Sequence, residues 1–211
     1  MYIAVHFGGP ILLAVALTVF LYNKYKQIKM QWRILVVAAM VLLFSLLQQF
    51  PPENLLMRFD PPEEAFRYTS SRKVLETVEN CESCMVLYEG RGDEPVSWCA
   101  LQKSESGWKL PTANRIQAEG SSRVNADALP DFCGSCQYTV MCYRDTNDYY
   151  LYIATYVDKG KTEFVDNRNE PVSCILTSND YGSYVTICVP FNGYPTDYML
   201  TVDGETVLRL E

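Results

Sequence analysis

The chain has 211 residues, and its 18 lysines and arginines against 25 aspartates and glutamates give a formal charge of −7. All 25 acidic residues lie after residue 50, together with 14 of the basic ones, which leaves that part with a balance of −11. This charge excludes nucleic acid as a partner, because phosphate neutralisation requires clustered cations, and the single histidine, His6, excludes Ser-His-Asp and Cys-His catalytic systems elsewhere in the chain.

Two long apolar runs dominate the N-terminal part of the chain. Ile3–Tyr22 contains about 20 residues, roughly 30 Å as a helix and enough to cross a bilayer core. Ile34–Phe50 contains about 17 residues, the short end of the spanning range. Neither run shows the polar face that a surface helix of a soluble protein would carry. The sequence therefore predicts a transmembrane helical hairpin over residues 1–52, with helices at 3–22 and 34–50.

The loop between the two runs sets the predicted orientation. It carries Lys24, Lys26, Lys29 and Arg33, the only charged side chains among the first fifty residues. Short loops rich in lysine and arginine stay in the cytoplasm, so both ends of the hairpin should face outward. No basic segment precedes the first apolar run, as a cleaved signal peptide would require. We expect a cell-membrane protein whose N- and C-termini are both extracytoplasmic.

The remainder of the chain, 53–211, has the size of one domain. Proline at position 51 cannot continue the preceding helix and so ends it. Asp60 is then predicted to cap a short helix at 61–68, because a carboxylate accepts hydrogen bonds from the free amides of a first turn.

The junction before this domain carries the motif PENLL and, a few residues later, PPEEAFRY. The motif residues are Pro52, Glu53, Asn54, Pro62, Glu63, Ala65, Phe66 and Tyr68. This stretch resembles the segment that follows the last transmembrane helix in a group of membrane-anchored proteins of Gram-positive bacteria. The resemblance implies a two-helix anchor, a β-rich extracytoplasmic domain and a place in the cell envelope, and it implies no particular activity.

Short alternating segments follow Tyr68 and predict strands. They lie at 74–79, 85–90, 96–103, 107–111, 136–144, 149–157 and 183–191. Asp203-Gly204 separates two further alternating runs and indicates a tight hairpin, whereas the polar stretch 112–130 is predicted to be a loop or a weak helix. The expected fold class is a mainly-β domain, an antiparallel sandwich or a barrel-like sheet.

Eight cysteines all lie in the predicted exterior domain, at positions 81, 84, 99, 133, 136, 142, 174 and 188. An even number confined to an exported domain predicts disulfides, with Cys81, Cys84, Cys99, Cys133, Cys136, Cys142, Cys174 and Cys188 as candidates. Two pairs have Cys-x-x-Cys spacing, so a zinc site made by Cys81, Cys84, Cys133 and Cys136 is an alternative. Redox chemistry and reduced, buried thiols stay open as well, although Cys136 leads into a strand rather than a helix.

The segment YYLYIATYV at 149–157 is the strongest binding feature in the sequence. Strand alternation places Tyr150, Tyr152 and Tyr156 on one face, with apolar residues on the other. Such a tyrosine face stacks on sugar rings or on the apolar surface of a partner. The alternative is aromatic packing across strands inside the sheet.

These patterns together predict a membrane-anchored extracytoplasmic domain for binding or interaction. An envelope protein or a glycan is the expected partner, beside the membrane itself, and no cofactor or enzymatic activity is expected. One alternative is an accessory subunit of a membrane complex that docks through its helices. Another is a cysteine-based redox or zinc-binding protein.

Overall fold

The structure is a computed structural model that describes residues 51–91, 94–112, 115–123, 132–157, 163–179, 182–202 and 205–210, together with Val19, Ala38, Ala39 and Leu42. These four isolated residues are helical. The predicted membrane helices at 3–22 and 34–50 otherwise lie outside the described residues. Over the described ranges, the structure contains no helix of the length and apolarity needed to cross a bilayer.

A short 3-10 turn, Pro52–Leu55, leads to the α-helix α1, Pro62–Thr69. The helix predicted at 61–68 is thus confirmed within one residue. Acidic residues occupy its first turn, where the positive end of the helix dipole favours them. The predicted cap by Asp60 is wrong, because Pro61 takes the cap position and no side chain caps the helix.

Twelve strands are present within the described residues. They are β1 Val74–Glu79, β2 Ser83–Arg91, β3 Glu94–Ser104, β4 Gly107–Trp108, β5 Ile116–Arg123, β6 Phe132–Tyr143, β7 Asp148–Val157, β8 Phe164–Asp166, β9 Ser173–Asn179, β10 Gly182–Asn192, β11 Met199–Val202 and β12 Glu205–Arg209. Sheet A has the order β1-β2-β3-β4, sheet B the order β5-β6-β7-β10-β9, and sheet C the order β12-β11-β8. All the pairings are antiparallel, which confirms the predicted mainly-β, antiparallel class.

Three hydrophobic clusters stack these elements into layers. Between α1 and sheet A lie Ala65, Phe66, Cys84, Val86, Leu101, Trp108 and Leu110. Between sheets A and B lie Val78, Met85, Leu87, Val96, Met141, Tyr150 and Cys188. Between sheets B and C lie Val140, Leu151, Ile153, Val185, Ile187, Val189, Phe191, Tyr198, Leu200, Leu208 and Leu210. Sheet B is therefore the middle layer, with one face on sheet A and the other on sheet C.

The alternation predicted for 149–157 is confirmed in β7. Leu151 and Ile153 face sheet C, whereas Tyr150 and Tyr152 face sheet A. Because another sheet covers each face, the tyrosine side of this strand is also an interior side along part of its length.

The stretch 112–130, predicted as a loop or weak helix, contains strand β5, so that prediction is wrong. The sequence IQAEGSSR has little strand propensity, but β6 pairs with it in antiparallel fashion from Ile116 to Arg123, with one register shift between Ala118 and Gly120. Strands β8 and β9 were not predicted. The hairpin of β11 and β12 is confirmed by the pairing of Val202 with Glu205, while Asp203 and Gly204 themselves lie outside the described residues.

Candidate ligand-binding cleft

A cleft opens between sheets A and B, near the tip of the β2–β3 hairpin. Its volume is about 350 Å³. The lining is mostly aromatic and consists of Tyr88, Glu94, Val96, Ser97, Trp98, Tyr152 and Tyr184. These residues come from the β2–β3 hairpin and from β7 and β10, which are remote from that hairpin in sequence, so the fold assembles the cleft.

Sheet pairing brings the aromatic rings of the cleft together. Trp98 lies in β3 opposite Leu87, and its ring meets the ring of Tyr152 in β7 at a centroid distance of 6.5 Å and an angle of 59°. Tyr184 lies in β10, directly opposite Tyr156 of β7. Trp98 and Tyr152 are half-buried and Tyr184 is buried, so the rings are held by packing, and the half-buried pair keeps part of its surface open to the cleft.

The hairpin tip positions the one carboxylate of the cleft. Gly90 lies so close to β3 that a Cβ atom there would be 1.8 Å from the carbonyl oxygen of Glu94. Only glycine permits this approach, which holds the first residue of β3 against β2. The Glu94 side chain is exposed, and it has no ion-pair partner among the residues that the structure describes.

Burial raises the pKa of the Tyr152 hydroxyl in the cleft well above the ordinary value of 10.0, and the neighbouring Tyr184 and Glu94 raise it further. The ring of Tyr88 packs instead against Phe66 of α1, at a centroid distance of 4.6 Å. Burial raises the pKa of Tyr88 too, and the Arg72 guanidinium, 5.8 Å from the centre of its ring, opposes that shift. The lining therefore offers neutral rings and hydroxyls beside a carboxylate, a combination suited to stacking and to binding a cation.

The three tyrosines predicted to form one binding face do not share one environment in the structure. Tyr150 has no exposed surface, so its prediction as a ligand-binding residue is wrong: sheet A covers it. Tyr152 lines the cleft and stays a candidate. The backbone of Tyr156 pairs with Tyr184 and Cys133, and its side chain lies outside the described part of the structure. Sequence reasoning missed Trp98 and Tyr184 because their convergence with Tyr152 depends on the stacking of two sheets.

A buried polar network explains both Tyr150 and the turn that contains the first Cys-x-x-Cys motif. The Asp148 carboxylate is 1% exposed and accepts hydrogen bonds from the Glu82 amide at 2.8 Å and the Ser83 hydroxyl at 2.7 Å. Ser83 also shares a hydrogen bond of 2.8 Å with the Tyr150 hydroxyl. The Asn80 side-chain amide donates to the carbonyl groups of two sheet B strands. The turn between β1 and β2 is thereby fastened to sheet B.

Six of the eight cysteines have described side chains, and all six are free thiols in this structure. Cys81 and Cys174 are exposed, Cys99 is intermediate, and Cys84, Cys142 and Cys188 are buried. Cys133 and Cys136 belong to β6, and the structure describes their backbone but not their side chains. Disulfide formation under oxidising conditions stays a prediction.

The two Cys-x-x-Cys motifs lie at opposite ends of β7, so the structure does not bring them together. Asn80, next to Cys81, bonds to the carbonyl of Tyr149, whereas Cys133 pairs with Tyr156. Those two β7 residues are roughly 23 Å apart at the ordinary rise of a strand. The described residues also contain no cluster of metal-ligating side chains. The zinc alternative that joined Cys81, Cys84, Cys133 and Cys136 therefore has no single site.

The second motif also differs from a redox centre. Between Cys133 and Gln137 the register of β6 against β7 shifts, so the motif occupies an irregular stretch within a strand. Reactive Cys-x-x-Cys thiols gain acidity at helix N-termini, and this position has no helix following it.

A second cleft, of about 370 Å³, lies at the other end of the domain. Glu79, Cys81, Arg168 and Glu170 contribute to its lining, along with Asn80, Pro171, Pro190, Phe191 and Asn192. It contains a single aromatic residue, so it offers far less stacking surface than the cleft at Trp98. Comparison of the chain with protein-family models, with curated proteins and with solved structures yields no match.

Proposed function

We propose that this chain is a membrane-anchored extracytoplasmic binding domain that recognises an envelope ligand, a glycan or a protein, at the cleft around Trp98. The supporting observation is the convergence of aromatic rings from β3, β7 and β10 on one open cleft with a carboxylate at its mouth. Aromatic rings that are fixed by packing stabilise a bound ligand at little cost in side-chain entropy.

The sequence supports the proposed extracytoplasmic location of the β domain. The apolar runs at 3–22 and 34–50 and the basic loop between them favour an anchor with the β domain outside the cell. An acidic surface is consistent with this, because it keeps a domain soluble beside an anionic membrane.

Fluorescence of Trp98 tests the binding function. The full chain in lipid nanodiscs would be titrated with two sets of probes, oligomers of N-acetylglucosamine and short synthetic peptides. We expect one set to produce a saturable change in tryptophan emission, because a ligand in the cleft displaces water from the indole ring. Substituting Trp98→Ala should abolish binding of that set, measured by calorimetry so that the lost fluorophore does not matter.

The matched control is Tyr194→Ala, which removes an aromatic side chain that is 42% exposed but lies outside the cleft. It should leave binding unchanged. The proposal fails if neither set of probes binds saturably, or if Trp98→Ala and Tyr194→Ala retain the same affinity as the unmodified chain.

A further inference from the structure

We infer that the second cleft binds a small zwitterion, a molecule such as an amino acid that carries a free ammonium group, a free carboxylate and a short apolar chain. This site is separate from the cleft at Trp98 and does not depend on the function proposed for that cleft. Three observations carry the inference: charges of both signs in one cleft, a fastened loop that holds two of them, and a buried hydroxyl beside that loop.

The second cleft lies where strands of all three sheets come together. Glu79 ends β1 of sheet A, and Phe191 belongs to β10 of sheet B. Arg168 and Glu170 come from the loop that follows β8 of sheet C. The Asn80 side-chain amide donates to the Phe191 carbonyl at 2.9 Å, so the end of β1 is held against β10. A volume of about 370 Å³ is at the small end of the range for ligand sites.

The charges in this cleft do not neutralise one another. Arg168, Glu79 and Glu170 all line it, and none of them forms an ion pair with another residue that the structure describes. The Arg168 guanidinium donates to the Thr196 carbonyl, and its remaining N–H groups have no acceptor in the described ranges. A guanidinium binds a carboxylate and the two glutamates suit an ammonium group, so the lining complements both ends of a zwitterion.

The loop that carries Arg168 and Glu170 is fastened to sheet C. The Asn167 side chain accepts a hydrogen bond from the Met199 amide and donates one to the Asp197 carbonyl, both at 2.9 Å. Because the loop backbone is already fixed, binding a ligand costs little conformational entropy there.

A buried hydroxyl beside the cleft is the second, independent indication of a ligand. Tyr198 has no exposed surface, and its hydroxyl has no hydrogen-bond partner among the described residues, which is rare for a buried polar group. Its ring packs edge-on against Phe191 of the lining, with the centroids 4.8 Å apart. Burial raises the pKa of this hydroxyl, and Asp166 and Glu170 raise it further, whereas Arg168 lowers it. The neutral hydroxyl therefore lies beside the charged loop. The exposed Arg168 side chain can turn towards a ligand carboxylate, which brings an acceptor to this donor.

The rest of the lining favours a ligand with a short aliphatic chain. Pro171, Pro190 and Phe191 supply its rigid apolar surface. Burying an aliphatic chain against these rings removes apolar area from water. Norleucine combines such a chain with both charged groups and is therefore a suitable probe.

Calorimetric titration of the full chain in nanodiscs tests the inference. The probes are norleucine, N-acetylnorleucine, which lacks the ammonium group, and norleucinamide, which lacks the carboxylate. We expect saturable binding of norleucine. Each blocked form should bind about tenfold more weakly or worse, because it loses one charge-assisted interaction.

Two substitutions test the residues that carry the inference. Tyr198→Phe keeps the ring that packs on Phe191 and removes only the hydroxyl, so it should weaken norleucine binding several-fold without lowering the urea midpoint. Arg168→Gln should weaken binding about tenfold, because the ligand carboxylate loses its cation. Arg209→Gln, an exposed arginine of β12 outside the cleft, is the matched control and should leave the affinity unchanged.

The inference is overturned if norleucine gives no saturable binding, if the blocked forms bind as tightly, or if Tyr198→Phe or Arg168→Gln retains full affinity. Trp98→Ala should bind norleucine as the unmodified chain does. Loss of norleucine binding in Trp98→Ala would place the ligand in the other cleft, which would overturn this inference and leave the proposed function standing.

Discussion

At the scale of single residues, Asp148 joins two sheets, although the polar sequence DTND around it predicts only an exposed turn. It is buried and accepts hydrogen bonds from the turn between β1 and β2, in a different sheet. A buried acceptor of this kind fixes the relative position of two sheets, because leaving its donors unpaired would cost more than the bonds contribute.

Substituting Asp148→Ala should therefore destabilise the protein by about 1–3 kcal/mol, because the Glu82 amide and the Ser83 hydroxyl lose their acceptor. Urea unfolding measures the change. The control is Asp145→Asn, which breaks the surface ion pair with Arg115 and should cost less than about 1 kcal/mol. Equal losses in the two variants would show that the network does not hold the sheets together.

Gly90 is a second residue with a defined geometric role. Substituting Gly90→Ala should weaken ligand binding and destabilise the protein by about 1–3 kcal/mol, because the new Cβ forces the Glu94 carbonyl away from β2. Gly120→Ala is the control, since the nearest atom to its added Cβ is 3.9 Å away. Calorimetric titration with the probe that binds the unmodified chain would compare the ligand affinities of the two variants, and urea unfolding would compare their stabilities. Unchanged binding in Gly90→Ala would contradict the role assigned to the hairpin tip.

At the scale of elements, alternation in the sequence was sufficient to predict the strands whose two faces differ. The segments at 74–79, 85–90, 96–103, 149–157 and 183–191 all became strands with nearly the predicted limits. β5 was missed because it is an edge strand of polar and small residues, and its conformation depends on pairing with β6. Local propensity carries no information about a partner that is remote in sequence.

The same limit applies to the candidate site. Alternation correctly placed Tyr150 and Tyr152 on one face of β7. Whether that face meets solvent depends on how far sheet A extends over sheet B, and this is set by packing between remote segments. Sheet A covers Tyr150 completely and ends near Tyr152, so only the second residue reaches the cleft.

The junction before α1 presents an apolar pair that the sheets leave uncovered. Leu55 and Leu56 are 82% and 90% exposed. The turn that carries them is fastened to the domain by two hydrogen bonds between Asn54 and the backbone of Leu110. Because the apolar run at 34–50 ends just before this turn, an anchored chain would hold both leucines at the membrane surface.

A tryptophan placed at this junction would report the contact. With Trp32→Phe as background, Trp98 and Trp108 still emit, and the additional emission contributed by Leu56→Trp should be strongly quenched in nanodiscs that contain brominated lipids. Glu105→Trp, at an exposed turn remote in sequence, should show much less quenching. Equal quenching at both positions would contradict the placement of this turn against the bilayer.

At the scale of the whole molecule, the buried thiols and phenols make stability depend on alkaline pH. Burial raises the pKa of Cys99 from 9.0 to about 12, and it raises that of Tyr143 to about 12 although Arg115 lowers it. Well below pH 9 these groups are protonated in both states and add no pH dependence. Above pH 9 the unfolded chain loses protons first, so the free energy of unfolding should fall as pH rises towards 12.

The expected slope is about 1.4 kcal/mol per pH unit for each proton that the folded state retains. Urea unfolding of the reduced protein between pH 7.5 and pH 10.5 would measure it. The free energy of unfolding of Tyr143→Phe, which lacks the buried hydroxyl, should decline less steeply above pH 10 than that of the unmodified protein. A free energy of unfolding that stays constant or rises over this range would show that these groups titrate normally in the folded protein.

The central claim is that the β domain lies outside the cell, where its cleft meets an envelope ligand, and the exposed thiols of Cys81 and Cys174 allow a direct test. Intact cells that produce the full chain with Cys133→Ser and Cys136→Ser would be treated with a membrane-impermeant reductant and then with an impermeant maleimide. The account predicts labelling in intact cells, no increase after permeabilisation, and loss of label in Cys81→Ser/Cys174→Ser. Labelling that appears only after the membrane is opened would contradict it.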